Sequence, residues 1–361
     1  MAYDLNTPYD ELPLLPPEVE INTKDVLIQC INASRELGEL KGAGTMLPDQ
    51  SILINAIPLQ EAKLSSEIEN IVTTQDELFF GDLDINAITD PNVKEVFRYR
   101  TALRHGYEVL GQGTLNAALI EEVCSVLRAE NVRFRTDKSP TVRIVQNYSR
   151  KVIYTPPRGG KNLQKKMSNL LDFLNKNDEF DPLIRLAIAH YQFEAIHPFS
   201  DGNGRTGRIL NILFLIQSNL INIPVLYLSR YITQNKPNYY RLLRRVTENG
   251  EWEAWVLYML KGIEETAHWT TNRIHAIYDL LGETIEKCRV ELPRIYSKEL
   301  VELIFRQPYC KIQFLVEAGI AERQTASNYL QELEKIGVLK GEKRGRQMIY
   351  KNPALIEVLT A

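Results

Sequence analysis

The sequence predicts a mainly α-helical fold with a small β-hairpin and a C-terminal winged-helix domain. Apolar residues recur at helical spacing in residues 25–42, in 58–80 and in most of 161–286. Val, Ile and Tyr are instead concentrated in residues 141–154, which predicts a hairpin. Residues 290–361 then read as helix, turn, helix and a short basic hairpin, the element order of a winged helix.

Three stretches of the chain are predicted to form helices that bear on its organisation. Residues 58–80 read as one continuous helix with an apolar stripe. The pair Asp181-Pro182, a capping residue followed by proline in the first turn, opens another helix. Residues 209–229 carry no charge and have the length of a membrane span, but Asn, Gln and Pro interrupt them. A buried helix followed by a turn is therefore the preferred interpretation.

Composition excludes several classes of protein. The chain has 361 residues, 44% hydrophobic and 25% charged, which is typical of a folded protein of two or three domains. Its net charge of −3 gives no general attraction for nucleic acid, so such a contact must be local. Its 4 cysteines are far apart, which argues against a zinc cluster or a disulfide framework and favours a reducing, cytoplasmic compartment. The acidic, Pro-rich start is not a secretory signal, and no membrane association is expected.

The densest functional signal is the segment 197–208, HPFSDGNGRTGR, which lies between two predicted helices. Gly202 and Gly204 let the backbone fold tightly and expose consecutive N–H groups where the second helix starts, which makes an anion site. Arg205 and Arg208 are three residues apart and therefore share one face of the first turn. Two guanidinium groups above a helix N-terminus suit a polyphosphate.

Two further side chains complete a candidate transfer site. Asp201 is best explained as a ligand of Mg²⁺, because bare phosphate would repel its carboxylate. His197 is a candidate general base, since the ordinary pKa of imidazole lies near neutrality. Together these groups predict that a hydroxyl deprotonated by His197 attacks a phosphorus atom while amides, arginines and a metal ion hold the charge.

The same segment satisfies a second pattern. Residues 202–207 match GxGxxG, which in a dinucleotide-binding fold follows a strand and precedes an acidic residue about 20 positions later. Here a helix precedes the glycines, and no Asp or Glu occurs between 209 and 247. A lone Asp-Gly-Asn-Gly is a common turn string, and a single His is more often structural than catalytic. The combination of base, carboxylate, glycines and spaced arginines outweighs these alternatives.

Residues 197–208 match the Fic-family signature His-x-Phe-x-Asp/Glu-Gly-Asn-Gly-Arg-x-x-Arg at every specified position, and the chain therefore resembles the Fic family. The resemblance implies a helical N-terminal region at 1–110, a Fic-type catalytic core at 111–288 and a winged-helix domain at 289–361. It also implies that the hairpin at 141–154 is a flap, which aligns a target segment by strand addition.

The resemblance further implies the transfer of AMP from ATP to a Ser, Thr or Tyr hydroxyl of a target protein and of the protein itself. His197 would be the base, and Asp201 would hold Mg²⁺. The residues expected to bind ATP are Gly202, Asn203, Gly204, Arg205, Thr206, Gly207 and Arg208. Near adenine the family uses a side chain from a later helix; Tyr240 is the candidate here and Tyr239 the alternative. A homodimer is also expected.

A short motif upstream of the core resembles a self-inhibition signal. Some Fic proteins carry Ser/Thr-x-x-x-Glu-Gly/Asn on an inhibitory helix, expected here at about 59–78. The matching residues are Ser65, Glu69 and Asn70. On this interpretation Glu69 pairs with Arg208 and leaves ATP in an unproductive pose. The pattern Ser66-x-x-Glu69 is also a capping box, so a helix start is the alternative.

The C-terminal domain leaves DNA binding and protein contact open. The residues that would face bases are Arg323, Gln324, Thr325, Ser327 and Asn328. Those that would face phosphates are Lys340, Lys343, Arg344 and Arg346. Glu332 and Glu334 on the same helix favour a protein-contact or dimerisation module instead.

Three functions stay open on the sequence alone. A protein adenylyltransferase would place label from the α-phosphate of ATP on protein. Related phosphodiester chemistry at the same site, including removal of AMP, would release AMP from a modified target. A DNA-binding regulator with a nucleotide-sensing core would bind duplex DNA in a salt-dependent way without labelling any protein.

Overall fold

The computed structural model of the chain describes residues 4–47, 49–85, 88–111, 113–145, 151–176, 179–344 and 347–360. The described part is mainly helical, as the sequence predicts. The helices are α1 (Lys24–Ala43), α2 (Ser51–Ile68), α3 (Gln75–Gly81), α4 (Pro91–Leu110), α5 (Ala117–Arg128), α6 (Lys161–Lys176), α7 (Pro182–Ile196), α8 (Asn203–Gln217), α9 (Leu228–Gln234), α10 (Lys236–Asn249), α11 (Trp252–Glu291), α12 (Lys298–Phe305), α13 (Ile312–Glu317), α14 (Arg323–Lys335) and α15 (Pro353–Thr360). The strands are β1 (Ile144–Val145), β2 (Val152–Tyr154), β3 (Tyr309–Cys310), β4 (Lys340–Arg344) and β5 (Gln347–Lys351).

The core forms around α7, α8 and the long helix α11. Both α7 and α8 are buried on nearly every side, because α4, α5, α6 and α11 pack around them. Trp255 of α11 is completely buried, and its indole N–H donates to the carbonyl of Ala187 in α7 at 2.7 Å. The loop between α7 and α8 is therefore held by two helices that cannot move independently of the core.

The expected continuous helix over 58–80 is wrong, because the chain breaks after Ile68. Glu69 caps α2 at its C-terminus, and Asn70 takes a left-handed conformation with φ of 63°. Asparagine tolerates this region better than most residues, so it ends the helix at this point. The break leaves the Glu69 side chain at the exposed C-terminal tip of α2 rather than on the side of a longer helix.

The capping box lies eight residues later than the alternative interpretation placed it. Ser66 is buried in the last turn of α2, so it does not start a helix. Thr74 and Glu77 instead form the box at the start of α3, since Thr74 Oγ1 accepts from the Glu77 N–H at 3.2 Å and Glu77 Oε2 accepts from the Thr74 N–H at 2.8 Å.

The apolar stretch at 209–229 is a buried helix followed by a turn, as expected. Helix α8 ends at Gln217, and Asn219 in the following turn has φ of 56°. In the part of the chain that the structure describes, no helix combines the length and apolarity that a membrane crossing requires.

The predicted hairpin at 141–154 is present as a pair of short antiparallel strands. Ile144 of β1 pairs with Tyr154 of β2, and Val145 pairs with Val152, with a register shift between the two pairs. Residues 146–150, which contain the predicted turn, lie outside the described residues. The paired strands lie beside the loop that joins α7 to α8, because Tyr154 donates its hydroxyl to the carbonyl of Ala195 at 2.7 Å.

The C-terminal segment contains helices α12 to α15 around a three-stranded antiparallel sheet of order β3-β5-β4. Helix α11 continues to Glu291, so the predicted boundary at 288 falls inside its last turn. The sheet contacts α3 through Asp76, which accepts from Lys351 at 2.9 Å, from Arg344 at 3.1 Å and from the Tyr309 hydroxyl.

One of these contacts is made by Arg344, a cation that the sequence predicted to face DNA phosphates. Besides its bond to Asp76, the Arg344 guanidinium lies 4.3 Å from the centre of the Phe80 ring. Arg346, another of these cations, lies outside the described residues, while Lys340 and Lys343 are exposed. Arg344 therefore serves contact within the chain in this structure.

We expect Asp76→Ala to loosen the C-terminal segment from α3 and to lower the free energy of unfolding by about 1–2 kcal/mol. Burial would raise the pKa of Asp76, but hydrogen bonds from Tyr309 and Lys351 outweigh it and hold the pKa below its ordinary value. The contribution is therefore present at neutral pH and is lost as acid protonates Asp76. Urea unfolding at neutral and acidic pH measures the effect. The control variant is Asp84→Ala, because Asp84 is an exposed carboxylate shortly after α3. Equal unfolding midpoints for the two variants at neutral pH would contradict the prediction.

Candidate active site

The loop between α7 and α8 begins and ends with residues in left-handed conformations. His197 caps α7 with φ of 51° and ψ of 61°, and Gly202 precedes α8 with φ of 85°. Glycine adopts this region freely, whereas a histidine there is uncommon and is held by its surroundings. The two turns set the imidazole and the start of α8 close together at the bottom of one cleft.

The side chain of Asn203 closes the loop upon itself. Its Oδ1 accepts from the N–H of Phe199 at 2.8 Å, and its Nδ2 donates to the carbonyl of the same residue at 2.9 Å. Phe199 is fully buried and packs against Phe134 with ring centres 5.3 Å apart. The amide of Asn203 therefore serves the shape of the loop, and its backbone N–H is what it can offer to an anion.

Arg135 holds the loop from outside, and nothing in the motif indicates it. Its Nε donates to the carbonyl of His197 at 2.9 Å, and its Nη2 donates to the carbonyls of Ile196 and Pro157 at 3.1 and 2.9 Å. The bonds to Ile196 and His197 satisfy carbonyl groups at the C-terminus of α7 that would otherwise lack partners. They also place a positive charge beside the candidate base.

That environment changes the protonation of His197. Burial, with Arg135 as the next cause, lowers the pKa of the imidazole to about 4, well below the near-neutral value expected from the sequence. A hydrogen bond with the Glu194 backbone and the carboxylates of Glu69 and Asp201 oppose this lowering but do not outweigh it. The ring is therefore neutral at physiological pH and is able to accept a proton.

The N-terminus of α8 already holds a carboxylate. A Cβ on residue 204 would lie 2.5 Å from Glu69 Oε1, so only glycine allows this approach. Glu69 Oε1 also accepts from Arg208 Nη2 at 2.8 Å. The carboxylate thus occupies a position where free N–H groups, the helix dipole and a guanidinium all favour negative charge.

Arg208 is anchored almost entirely by the end of α2. Its side chain is 2% exposed, its Nε donates to Ser65 Oγ at 2.8 Å, and its Nη2 donates to the Ser65 carbonyl at 3.0 Å. Burial would lower the pKa of Arg208, but the Glu69 carboxylate outweighs that effect and raises it. Three residues predicted from the sequence, Ser65, Glu69 and Arg208, are therefore brought together. Asn70, the fourth, shapes the helix end.

The other motif residues divide between the cleft and the core. Arg205 is buried, and its Nη1 bonds to Glu95 of α4 at 2.5 Å, so its charge is already paired. A Cβ on residue 207 would lie 2.8 Å from Glu194 Oε1 and 3.0 Å from the Phe193 ring, which gives Gly207 a packing reason. Thr206 is completely buried, and its Oγ1 has no partner among the described residues.

Asp201 lies at the rim of the cleft with its side chain 60% exposed. It forms an ion pair with Arg128, and its Oδ1 accepts from the N–H of Gly202 at 2.6 Å. Within the described ranges, no group of three or more His, Cys, Asp or Glu side chains forms a metal cage. A single exposed carboxylate fits Mg²⁺ only where substrate phosphates and water supply the remaining ligands, which is the usual way proteins bind this ion.

One cleft of about 620 Å³ joins these groups. Its walls include Glu69, the loop from His197 to Arg205, and strand β1 of the hairpin. The cleft therefore brings together the candidate base, the candidate metal ligand, the anion site and the flap, although the flap ends more than 40 positions before the other three in the sequence.

A second cleft of about 130 Å³ adjoins the first beneath the hairpin and contains Tyr240. Its lining residues are Ile144, Ile153, Tyr154, Tyr191, Glu194, Ala195, Tyr240, Leu243, Arg244 and Thr247. Tyr239, the alternative candidate, is buried and bonds through its hydroxyl to His190 Nε2 at 2.8 Å. The structure thus places Tyr240, and not Tyr239, at a surface open to a ligand.

Sequence reasoning missed Glu95, Arg128, Arg135 and Glu194, which all contact the site. Glu95, Arg128 and Arg135 come from segments far from the motif, and no spacing rule connects them to it. Glu194 lies three residues before His197 on the same helix, so its helical proximity to the base was the available signal.

Comparison with family models gives three matches along the chain. Residues 27–108 match the Fic/DOC family N-terminal model, residues 114–215 match the Fic/DOC family model, and residues 280–355 match the C-terminal domain of SoFic-like protein adenylyltransferases. The middle match contains the whole loop between α7 and α8.

Curated relatives are similar over less than half of the chain. The protein adenylyltransferase fic-1 of Caenorhabditis briggsae is 28% identical over 183 residues, which cover 45% of this chain and 33% of the relative. A probable protein adenylyltransferase of Aquifex aeolicus is 29% identical over 178 residues, covering 48% of this chain and 52% of the relative. The chain therefore matches between about a third and about half of the length of these relatives.

Two solved structures show the same fold. A Fic family protein from Desulfovibrio desulfuricans superposes with a TM-score of 0.56 at 22% identity, covering 94% of this chain and 98% of that one. A Fic domain containing signaling protein from Bacteroides thetaiotaomicron gives a TM-score of 0.55 at 16% identity, covering 69% of this chain and 97% of that one. At these identities the likeness concerns the fold alone.

We expect the imidazole of His197 to stay neutral down to a pH near 4, because its pKa is lowered to about 4. An NMR titration of the histidine ring protons measures this, and His197→Gln assigns the signal. Titration of His197 at neutral pH would contradict the expected burial.

Proposed function

Because the chain belongs to the Fic/DOC family, we propose that it is a protein adenylyltransferase, which transfers AMP from ATP to a Ser, Thr or Tyr hydroxyl of a target protein and of itself. The observation that carries the proposal is the position of the Glu69 carboxylate. It marks an anion site at the N-terminus of α8, in the same cleft as a neutral imidazole. An anion site beside a neutral base is what phosphoryl chemistry on a hydroxyl requires.

The reaction follows from the roles of two groups. His197 takes the proton of the target hydroxyl on a ring nitrogen while the hydroxyl oxygen attacks the α-phosphorus of ATP. The new bond joins that oxygen to the α-phosphorus, the bond to the oxygen that bridges to the β-phosphorus breaks, and pyrophosphate leaves. The N–H groups at the start of α8 hold the phosphate oxygens in place by hydrogen bonds.

We propose that Asp201 holds Mg²⁺ together with the ATP phosphates. When bound, the ion would neutralise charge on the leaving pyrophosphate. Arg128 pairs with both Asp201 and Glu130, so it would have to release the Asp201 carboxylate and could then contact the phosphates. This assigns Arg128 to a contact that the motif does not contain.

We infer that the Glu69–Arg208 ion pair is inhibitory. Arg208 has one carboxylate partner in the described structure, and that carboxylate stands where phosphate oxygens would have to lie. While the pair is intact, ATP can enter only in a displaced pose, and a small displacement at a reacting centre has a large effect on rate.

The hairpin and the C-terminal segment supply the proposed partner contacts. We propose that a target segment adds to the flap at 141–154 and so presents its hydroxyl to His197. We also infer that α12 to β5 form a winged helix, and the use of Arg344 within the chain supports protein contact, such as a homodimer, over DNA binding. All four cysteines are buried and unpaired, which supports a reducing compartment such as the cytoplasm.

Glu69→Gly should raise AMP transfer on the order of a hundredfold, because ATP phosphates can then reach Arg208 and adopt the productive pose. Incubation with Mg²⁺ and ATP labelled at the α-phosphate measures self-modification directly, and the same reaction in lysate identifies a target. Glu67→Gly is the matched control, since Glu67 lies on the same helix end but pairs with Lys63. If Glu69→Gly and Glu67→Gly incorporate label equally, the inhibitory role of Glu69 is rejected.

His197→Ala in the Glu69→Gly background should abolish transfer while nucleotide binding is retained, because the imidazole acts on the hydroxyl and not on the phosphates. Label incorporation and calorimetric ATP binding are the two measurements. Undiminished transfer would reject the mechanism, and loss of ATP binding would mean that His197 belongs to the binding site.

A further inference from the structure

Lys236, at the start of α10, bonds the C-terminal end of α2. Its Nζ donates to the carbonyl of Ile68 at 2.6 Å. This carbonyl belongs to the peptide group that joins Ile68, the last residue of α2, to Glu69. The last carbonyl groups of a helix have no partner within the helix, and a lysine side chain can satisfy them. Lys236 therefore caps the helix end that carries the carboxylate bound to Arg208.

The other carbonyl groups of this last turn show what the contact to Lys236 adds. Those of Ser66 and Glu67 accept from backbone N–H groups of the residues that follow, at 3.0 Å, so these bonds lie within the turn itself. The carbonyl of Ser65 accepts from Arg208 of α8 at 3.0 Å. Arg208 and Lys236 therefore tie the turn to two other helices, one on each side of the bonds that the turn makes with itself.

The position of the Lys236 ammonium is explained by α2 and not by its own helix. Lys236 is the first residue of α10, where the dipole of that helix disfavours a positive charge. The C-terminus of α2 has the opposite polarity and favours it. Burial lowers the pKa of Lys236; the Glu69 carboxylate opposes this, and the Arg208 guanidinium adds to it. The ammonium therefore lies in the electric field of both members of the ion pair.

We propose that Lys236 is a positioning residue for inhibition, which holds the tip of α2 so that Glu69 reaches Arg208. Its bond to Ile68 fixes the peptide group from which Glu69 extends, and its charge attracts the carboxylate. Without the ammonium the last turn frays more often, and the ion pair is open in a larger fraction of molecules. The inference rests on the proposed function, because it requires that the closed pair inhibits AMP transfer.

The test measures self-modification with Mg²⁺ and ATP labelled at the α-phosphate. Lys236→Met removes the ammonium and keeps an unbranched side chain, and it should raise incorporation about tenfold, to a rate between those of the unchanged protein and of Glu69→Gly. A change of this size corresponds to about 1.4 kcal/mol lost from the closed state, the scale of a single hydrogen bond. Lys236→Arg should keep most of the inhibition, because a guanidinium also donates to a carbonyl.

The Glu69→Gly background separates this role from two others. In that background Lys236→Met should leave incorporation unchanged, since no carboxylate remains to be held. A structural defect would lower incorporation in both backgrounds, and a direct bond from Lys236 to the ATP phosphates would raise the KM for ATP in Glu69→Gly. Either of these results overturns the inference.

Lys63→Met is the matched control, because Lys63 also lies near the end of α2 but bonds the side chain of Glu67. It should incorporate label at the rate of the unchanged protein. An equal rise in Lys63→Met and Lys236→Met, or no rise in Lys236→Met, overturns this inference and leaves the proposed function intact. If Glu69→Gly itself incorporates no label, both fail.

Discussion

The burial of the Arg208 guanidinium is the constraint on which the site depends. A cation that is 2% exposed needs fixed partners, because an uncompensated buried charge is strongly destabilising. In this fold the partners come from outside the catalytic motif, namely the hydroxyl and carbonyl of Ser65 and the carboxylate of Glu69. Only a second anion at the same place can replace Glu69 without leaving the guanidinium unpaired. The same requirement underlies both the proposed inhibitory contact and the proposed binding of phosphate.

Helix α2 delivers those partners because it is anchored one turn earlier. Glu61, Ser65 and Glu69 are spaced by four residues and share one face of the helix. Glu61 is 1% exposed and accepts from the N–H and hydroxyl of Ser229 and from the Tyr99 hydroxyl at 3.2 Å. These bonds fix the rotation and depth of α2 in the core. The break at Asn70 then leaves Glu69 as the last residue on this face, so its carboxylate can leave the site without unwinding the anchored turns.

The sequence predicted the parts of the site that are local and missed those that are assembled by packing. The anion site could be predicted, because glycines, the helix start and the arginine spacing all lie within residues 197–208. The ion pair between Glu69 and Arg208 was expected from family resemblance, since no periodicity connects residues 139 positions apart. The helix break after Ile68 was missed because apolar spacing continues through it, and only the left-handed Asn70 marks it. The lowered pKa of His197 was also invisible, since it arises from burial and from Arg135 in a distant segment.

The loop that carries His197 is complete without a nucleotide, and this bears on how inhibition can work. The Asn203 amide closes the loop through two bonds to Phe199, and Arg135 holds its first carbonyl groups. None of these contacts involves Glu69, so loss of the Glu69–Arg208 pair leaves the base and the helix N-terminus in place. The proposed inhibition therefore acts on the pose of the phosphates and not on the shape of the loop. Release of the proposed inhibition then requires the loss of one ion pair at the tip of α2 and no rearrangement of the core.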